Sequence, residues 1–249
     1  MTTADGTRGR PASETGEGFR AGFLTFVGRP NVGKSTLMNA LVGEKVAITS
    51  PKPQTTRRAI RGIVNRPEGQ LVVVDTPGMH RPRTLLGERL NDVVATTLAD
   101  VDVVGFCVPA GEPIGPGDRF LHGRLDDAPR AKRIAIVTKI DAVPRDRVGE
   151  QLLAVSTLGE WDSVIPVSAQ DGIQLDVLVR EALLLMPEGP ALYPTETVTD
   201  ETLEQRIAEL IREAALAGAR EELPHSLAVT VDDIEEDDGL TRIFANVWV

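Results

Sequence analysis

From residue 21 onward, short continuous apolar runs alternate with longer segments whose apolar positions recur at helical spacing. "GFLTFVG" is a run of strand length. After a loop comes "KSTLMNALVG", where Leu37, Ala40 and Leu41 share one helical face and Gly43 stops the helix. "AIRGIVNR" and "QLVVVDT" predict neighbouring strands, and "VDVVGFCV", "RIAIVTK" and "SVIPVS" predict three more. The segments "RTLLGERLNDVVATTLA", "DRFLHGRL", "RDRVGEQLLAVSTL" and "GIQLDVLVREALLLM" between them predict helices. Such alternation predicts an α/β fold, a mostly parallel sheet with helices on both faces. Right-handed crossovers then gather the loops that follow the strands along one edge, where ligands bind.

"PEGPALYPTETV", residues 187–198, holds three prolines and interrupts the pattern. We therefore expect a domain over 21–189, a linker over 190–198 and a second unit over 199–249, with a flexible tail over 1–20. In the second unit Leu203, Ile207, Leu210, Ile211 and Ala214 recur at helical spacing. "SLAVTV" and "LTRIFANVWV" then alternate like two strands joined by the acidic loop "DDIEEDDG".

Charge changes this picture locally. The net charge is −10, and residues 196–249 carry 14 acids against four arginines, so the rest of the chain is balanced. Bulk attraction to nucleic acid is not expected from such a total. Within the balanced part, Lys45, Lys52, Arg57, Arg58, Arg61 and Arg66 form a run with no acid, either a solvated face or a binding surface. The single cysteine, Cys107, lies in an apolar run and reads as a buried strand thiol. No apolar run reaches the roughly 18 residues that a membrane span needs, and the N-terminus lacks a secretory apolar core. A cytoplasmic protein is expected.

The chemistry begins at Gly28 to Ser35, a match to G-x-x-x-x-G-K-[ST] with a strand before it and a helix after. Its backbone N–H groups would converge on phosphate oxygens at the positive end of the helix. Lys34 would reach β- and γ-phosphates, and the Ser35 hydroxyl would hold Mg2+. "LVVVDTPG" ends a strand with Asp75, placed to hold Mg2+ through water, and with Gly78, whose N–H can sense a γ-phosphate. "IVTKID" places Asp141 where its carboxylate could accept two hydrogen bonds from guanine. Adenine lacks that donor pair, so the site would discriminate. Lys139 could lay its stem over the base. In "VSAQDG" the Ala169 N–H could meet the base oxygen while Ser168 holds the loop. Four such motifs in order, each ending a strand, point to GTP. A phosphate-loop kinase is disfavoured because no phospho-acceptor lid is visible.

With "GRPNVGKS", "KPQTTRR", "DTPGMHRP", "TKID" and "VSA" over residues 21 to about 190, the chain resembles the translation-factor-like GTPases, and within them the Era family. "EELPHSLAV" resembles the start of that family's RNA-binding KH domain. The resemblance implies a P-loop GTPase domain followed by a partial α+β KH-like module. It carries nucleotide contacts onto Gly28, Arg29, Pro30, Asn31, Val32, Gly33, Lys34, Ser35 and Thr36 of the phosphate loop. It adds Asp75, Thr76, Pro77, Gly78 and Met79 after the second motif strand. At the base it adds Thr138, Lys139, Ile140, Asp141, Ser168 and Ala169. Lys34, Thr56, Gly78 and Asn31 would serve catalysis, and Ser35, Thr56 and Asp75 would serve Mg2+. Thr56 is preferred over Thr55 as the switch-I threonine.

The resemblance also implies GTP and GDP binding, a role in 16S rRNA processing and 30S subunit assembly, and peripheral association with the inner face of the cell membrane. A monomer is expected. Met79 stands where many GTPases have a water-orienting glutamine, which implies slow intrinsic hydrolysis. Asn31 either coordinates K+ beside the phosphates or caps its own loop. Thr138 replaces the more usual asparagine, so weaker or faster-exchanging guanine binding is expected. No G-x-x-G suited to a KH loop follows residue 190, so the KH-like unit is expected to be cut short before it. The alternative function is a GTP/GDP-binding module that has lost rRNA binding.

Overall fold

The computed structural model describes residues 18–50, 55–77, 97–218 and 227–249. Six strands form one sheet: β1 (Arg20–Val27), β2 (Ile60–Arg66), β3 (Gly69–Asp75), β4 (Val103–Pro109), β5 (Lys132–Thr138) and β6 (Ser163–Pro166). Their order is β2-β3-β1-β4-β5-β6, with β2 antiparallel to β3 and every other pair parallel. All seven residues of β3 and of β4 are buried. That explains their continuous apolar runs, since a parallel strand covered on both faces has no polar side to alternate with.

Among the described residues, the helices that pack on the sheet include α1 (Lys34–Val42), α2 (Pro116–Gly123), α3 (Arg145–Ser156) and α4 (Leu175–Leu184), and residues 97–100 are also helical. Leu37, Met38 and Leu41 of α1 join Leu178, Val179 and Ala182 of α4 in a core with Leu24, Phe26 and Val73. Leu121 of α2 and Val155 of α3 join a second core with Val27, Phe106 and Val137. The two cores lie on opposite faces of the sheet, because neighbours such as Phe26 and Val27 point oppositely along a strand. No described helix is long and apolar enough to cross a membrane.

The proline-rich segment is bound along the sheet. Gln70 is fully buried, its Oε1 accepting from Leu192 N (2.8 Å) and Tyr193 N (2.9 Å) and its amide donating to the Tyr193 carbonyl (2.8 Å). Asn65 donates to the Thr195 carbonyl and Ile63 N to the Val198 carbonyl, covering the outer edge of β2. A covered edge cannot template pairing with another chain.

Beyond it lie α5 (Leu203–Gly218) and the hairpin β7 (Ala228–Asp237) with β8 (Leu240–Trp248). Two details differ from the sequence reading. The acids Asp232 to Asp237 belong to β7, and the turn is only Asp238–Gly239, both at positive φ. Asp-Gly is the pair a two-residue hairpin turn favours, and acids cost nothing on strand faces that stay exposed. On α5, Leu203 and Leu210 are exposed, while the buried positions are Arg212 and Leu216. The helix docks by a mixed charged and apolar stripe and not by its most apolar one.

Candidate functional site

The C-terminal ends of β1, β3, β5 and β6 deliver the phosphate loop, Asp75, the Thr138–Asp141 turn and Ser168 to one edge. Gly28 follows β1 where a Cβ would lie 2.6 Å from the Cys107 carbonyl oxygen, so only glycine fits. Asn31 (φ 64) and Gly33 (φ 102) adopt left-handed backbone, which turns the loop back towards α1. The buried Lys34 donates from Nζ to the carbonyls of Gly28 (3.0 Å) and Arg29 (3.1 Å). Burial lowers its pKa, and the nearby Asp75 carboxylate opposes that shift. A cavity of about 410 Å3 opens beside Asn31, Lys34, Ser35 and Thr56.

Behind two of this cavity's lining residues, Ser35 Oγ donates to Asp75 Oδ2 at 2.7 Å and Thr56 Oγ1 donates to the same oxygen at 3.0 Å. The two hydroxyls are 3.3 Å apart. Asp75 is fully buried, and its Oδ1 has no hydrogen-bond partner among the described residues. Burial raises its pKa, opposed by Ser35, Lys34 and Thr56. An orphaned buried carboxylate oxygen beside two hydroxyls is an all-oxygen donor set, which fits a small hard dication such as Mg2+. Thr56 places its hydroxyl in this cluster. The expected contacts of Gly78 and Met79 lie outside the described residues.

At the other end Thr138 Oγ1 donates to the carbonyls of Val32 (2.7 Å) and Val108 (3.3 Å). Lys139 Nζ donates to the Asn31 carbonyl at 2.7 Å. Asp141 sits in a short 3-10 turn, Ile140–Ala142, and its Oδ1 accepts from Ser168 Oγ at 2.6 Å. Ser168 in turn accepts from Asp171 N at 3.0 Å. A cavity of about 280 Å3 lies among Thr36, Lys139, Asp141 and Ala169 and shares Gly33, Thr36 and Lys139 with the first. One cavity suits a charged tail and the other a planar base.

The structure adds residues that the motifs do not mark. Arg29 turns its guanidinium away from the cavity, to Asp118 Oδ1 (2.8 Å) and Glu112 Oε2 (2.9 Å). Lys52 lies outside the described residues, and the described members of the basic run pair within the chain: Lys45 with Glu213, Arg58 with Glu201 (2.6 Å), Arg61 with Asp200 (2.7 Å) and Arg66 with Asp176 (3.2 Å). Arg57 donates to the Leu227 carbonyl at 2.6 Å. The run is thus largely an internal contact with the acidic C-terminal unit. The matching of a local basic run to a distant acidic excess was the available signal.

Residues 23–139 match the family described as 50S ribosome-binding GTPase. GTPase Era of Leifsonia xyli subsp. xyli (strain CTCB07) is 70% identical over 199 residues, covering 80% of this chain and 67% of that protein. GTPase Era of Mycobacterium sp. (strain KMS) is 60% identical over 236 residues, covering 93% of this chain and 79% of that protein. The chain belongs to the Era family of GTPases. It superposes on an Aquifex aeolicus Era variant bound to GDP·AlF4− with a TM-score of 0.86 at 34% identity, over 92% of this chain and 78% of that one. An Era complex with MgGDPNP and nucleotides 1506–1542 of 16S ribosomal RNA matches with a TM-score of 0.84, also at 34% identity. The P-loop α/β fold and the GTPase activity expected from the motifs are those of this family.

Proposed function

We propose that this Era-family GTPase is a nucleotide-driven switch in 16S rRNA processing and small-subunit assembly, with the edge of the sheet from Gly28 to Ala169 as its GTP site. The observation that carries the reading is the meeting of Ser35 and Thr56 hydroxyls on Asp75 beside the Lys34 loop. In this reading the backbone of Gly28 to Thr36 cradles the phosphates, and Lys34 leaves its two loop carbonyls to meet the β- and γ-oxygens. Ser35 and Thr56 would hold Mg2+ when it binds, with Asp75 behind their hydroxyls. Mg2+ supplies charge that offsets the phosphates in the transition state. Gly78 N–H marks the γ-phosphate. Asp141, oriented by Ser168, reads guanine, while Lys139 and Ala169 frame the base. Met79 orients no water, so intrinsic hydrolysis is slow.

Asn31, which lines the cavity from a left-handed backbone, is read as the K+ residue. Replacing KCl by NaCl then lowers the hydrolysis rate, and equal rates remove the assignment. The domain division 21–189, 190–198 and 199–249, a monomeric state and a cytoplasmic location complete the proposal. The site itself is tested by Thr56→Ala: GTP hydrolysis should fall while GDP affinity stays near wild type.

A second reading is a GTP/GDP-binding module without rRNA binding. It is favoured by the internal pairing of Lys45, Arg58, Arg61 and Arg66, which leaves those cations engaged away from RNA phosphates. Filter binding of a 16S 3′-end fragment decides between them. Salt-sensitive, nucleotide-dependent retention supports the first and its loss supports the second.

A further inference from the structure

Arg212 is an anomaly on α5. It is only 4% exposed, on a helix where Leu216 is the other buried position, and a buried arginine needs partners. Glu209, one turn earlier, supplies one: Arg212 Nε donates to Glu209 Oε1 at 3.0 Å, and Nη2 donates to Oε2. This fork holds the guanidinium in a fixed plane on the helix. From that plane Nη2 also donates to the Thr55 carbonyl at 2.6 Å, across 157 positions of sequence.

Thr55 immediately precedes Thr56, whose hydroxyl lies on Asp75. The backbone at this point is therefore fixed from two sides, by α5 at the Thr55 carbonyl and by Asp75 at the Thr56 side chain. Adjacent contacts anchor the same segment. Glu213, next to Arg212, accepts from Thr49 N at 3.0 Å and pairs with Lys45. Ile48, Leu216 and Leu227 form a small buried cluster beneath. Arg58 pairs with Glu201, ahead of the helix.

We infer that Arg212 is a positioning residue for Thr56: the helix of the C-terminal unit sets the switch threonine over the metal site of the nucleotide domain. The inference rests on the reading of Thr56 as the residue that closes on Mg2+ and the γ-phosphate. A charge-assisted bond to a backbone carbonyl resists the movement of that peptide, so Thr56 is held before nucleotide arrives. The cost of ordering it is then not drawn from GTP binding. GDP has no γ-phosphate for Thr56 to meet, so the benefit falls on the triphosphate state. A purely structural role in docking α5 would act on both nucleotides alike.

The test uses the full chain with Mg2+ and measures affinities for GDPNP and GDP. Arg212→Ala should weaken GDPNP binding about ten- to hundredfold, the scale of a lost charged hydrogen bond, and leave GDP within about twofold. Thr56→Ala alone should show the same preference for GDP. In the Thr56→Ala background, Arg212→Ala should cost less than about twofold more, because residues that act through one another are not additive. Equal losses for GDP and GDPNP, or an undiminished Arg212 effect without Thr56, overturn the inference while leaving the Thr56 reading intact. If Thr56→Ala leaves GDPNP affinity unchanged, the Thr56 reading falls and this one with it. Arg212→Lys, which keeps the charge but not the fork, is read by the same criteria should the alanine variant fail to fold.

Discussion

Thr138 Oγ1 and the carbonyl oxygen of Val32 lie 2.7 Å apart, so the last residue of β5 holds the centre of the phosphate loop through one hydroxyl. Val32 is buried in the core beneath, and its peptide is thus fixed from both ends. Threonine here keeps the tie between base turn and phosphate loop that a longer asparagine amide would also make. It gives up the reach to the base.

Removing the hydroxyl without changing shape isolates that tie. Thr138→Val should lower GDP and GTP affinity together by about tenfold, since the buried Val32 carbonyl loses its donor at a cost of about 1–3 kcal/mol. Thr138→Asn should slow GDP release. Stopped-flow release of a labelled GDP measures both, and a valine variant with wild-type release would remove the hydroxyl from the argument.

Asp141 is held by Ser168 at 2.6 Å, which orients its carboxylate before any base is present. Asp141→Asn exchanges one acceptor for a donor, so guanine affinity should fall by a factor on the order of 100 or more and xanthine should be preferred. Ser168→Ala should keep the base preference with a smaller loss, because it disturbs only orientation. Competition of GTP, XTP and ATP for one labelled nucleotide separates these outcomes. Equal GTP binding by the Asn variant would place guanine elsewhere.

Much of this arrangement was legible from residues alone, and what was missed has a physical cause. Phosphate-loop glycines, Asp75 and the strand ends are local features, each dictated by a backbone need within a few positions. Gly28 tolerates no Cβ, and β3 must be apolar on both sides. Contacts such as Arg212 with Thr55 or Arg29 with Asp118 join positions 157 and 89 apart, and nothing local marks either partner. The acidic second half of β7, residues 232–237, reads as a loop in the sequence for a related reason. Its faces are exposed, so burial imposes no alternation on it.

The donor set at Asp75 predicts a metal-dependent stability. Mg2+ binding to the folded state alone should raise the melting temperature of the GDP-bound protein, and chelation should reverse it. Asp75→Asn should abolish that Mg2+ increment and slow hydrolysis at least about tenfold, the scale of losing a charged group at the transition state. Differential scanning with and without a chelator is the check. A variant with the full Mg2+ response would take Asp75 out of the metal site.

His122 supplies a pH dependence away from the nucleotide. Its ring meets Trp161 edge-on at 5.4 Å and Phe106 at 6.0 Å. Burial lowers its pKa, and the charge of Arg133 lowers it further. The unfolded chain therefore takes up this proton first as pH falls. The stabilisation is complete above the unfolded value of about 6.5 and is lost as pH drops below it towards the folded value. His122→Phe should flatten the fall in melting temperature as pH drops below about 6.5. An unchanged slope would assign it to other groups.

Arg29 is the remaining cation of the phosphate loop, and two readings of it make opposite predictions. A phosphate-facing arginine would stabilise bound GTP and do little for the empty protein. The observed side chain instead meets Asp118, which is only 1% exposed and otherwise accepts only from Gly115 N among the described residues. Glu112, more than half exposed, adds little. Taking Arg29 away leaves a buried carboxylate short of a partner, which costs about 3–5 kcal/mol. Arg29→Ala should therefore shift the urea midpoint markedly and weaken GDP and GTP equally, as the loop loses its anchor to α2. Arg29→Ala combined with Asp118→Asn should recover much of the stability, because the uncompensated charge is gone. Loss of GTP affinity alone, with stability intact, would return Arg29 to the phosphates.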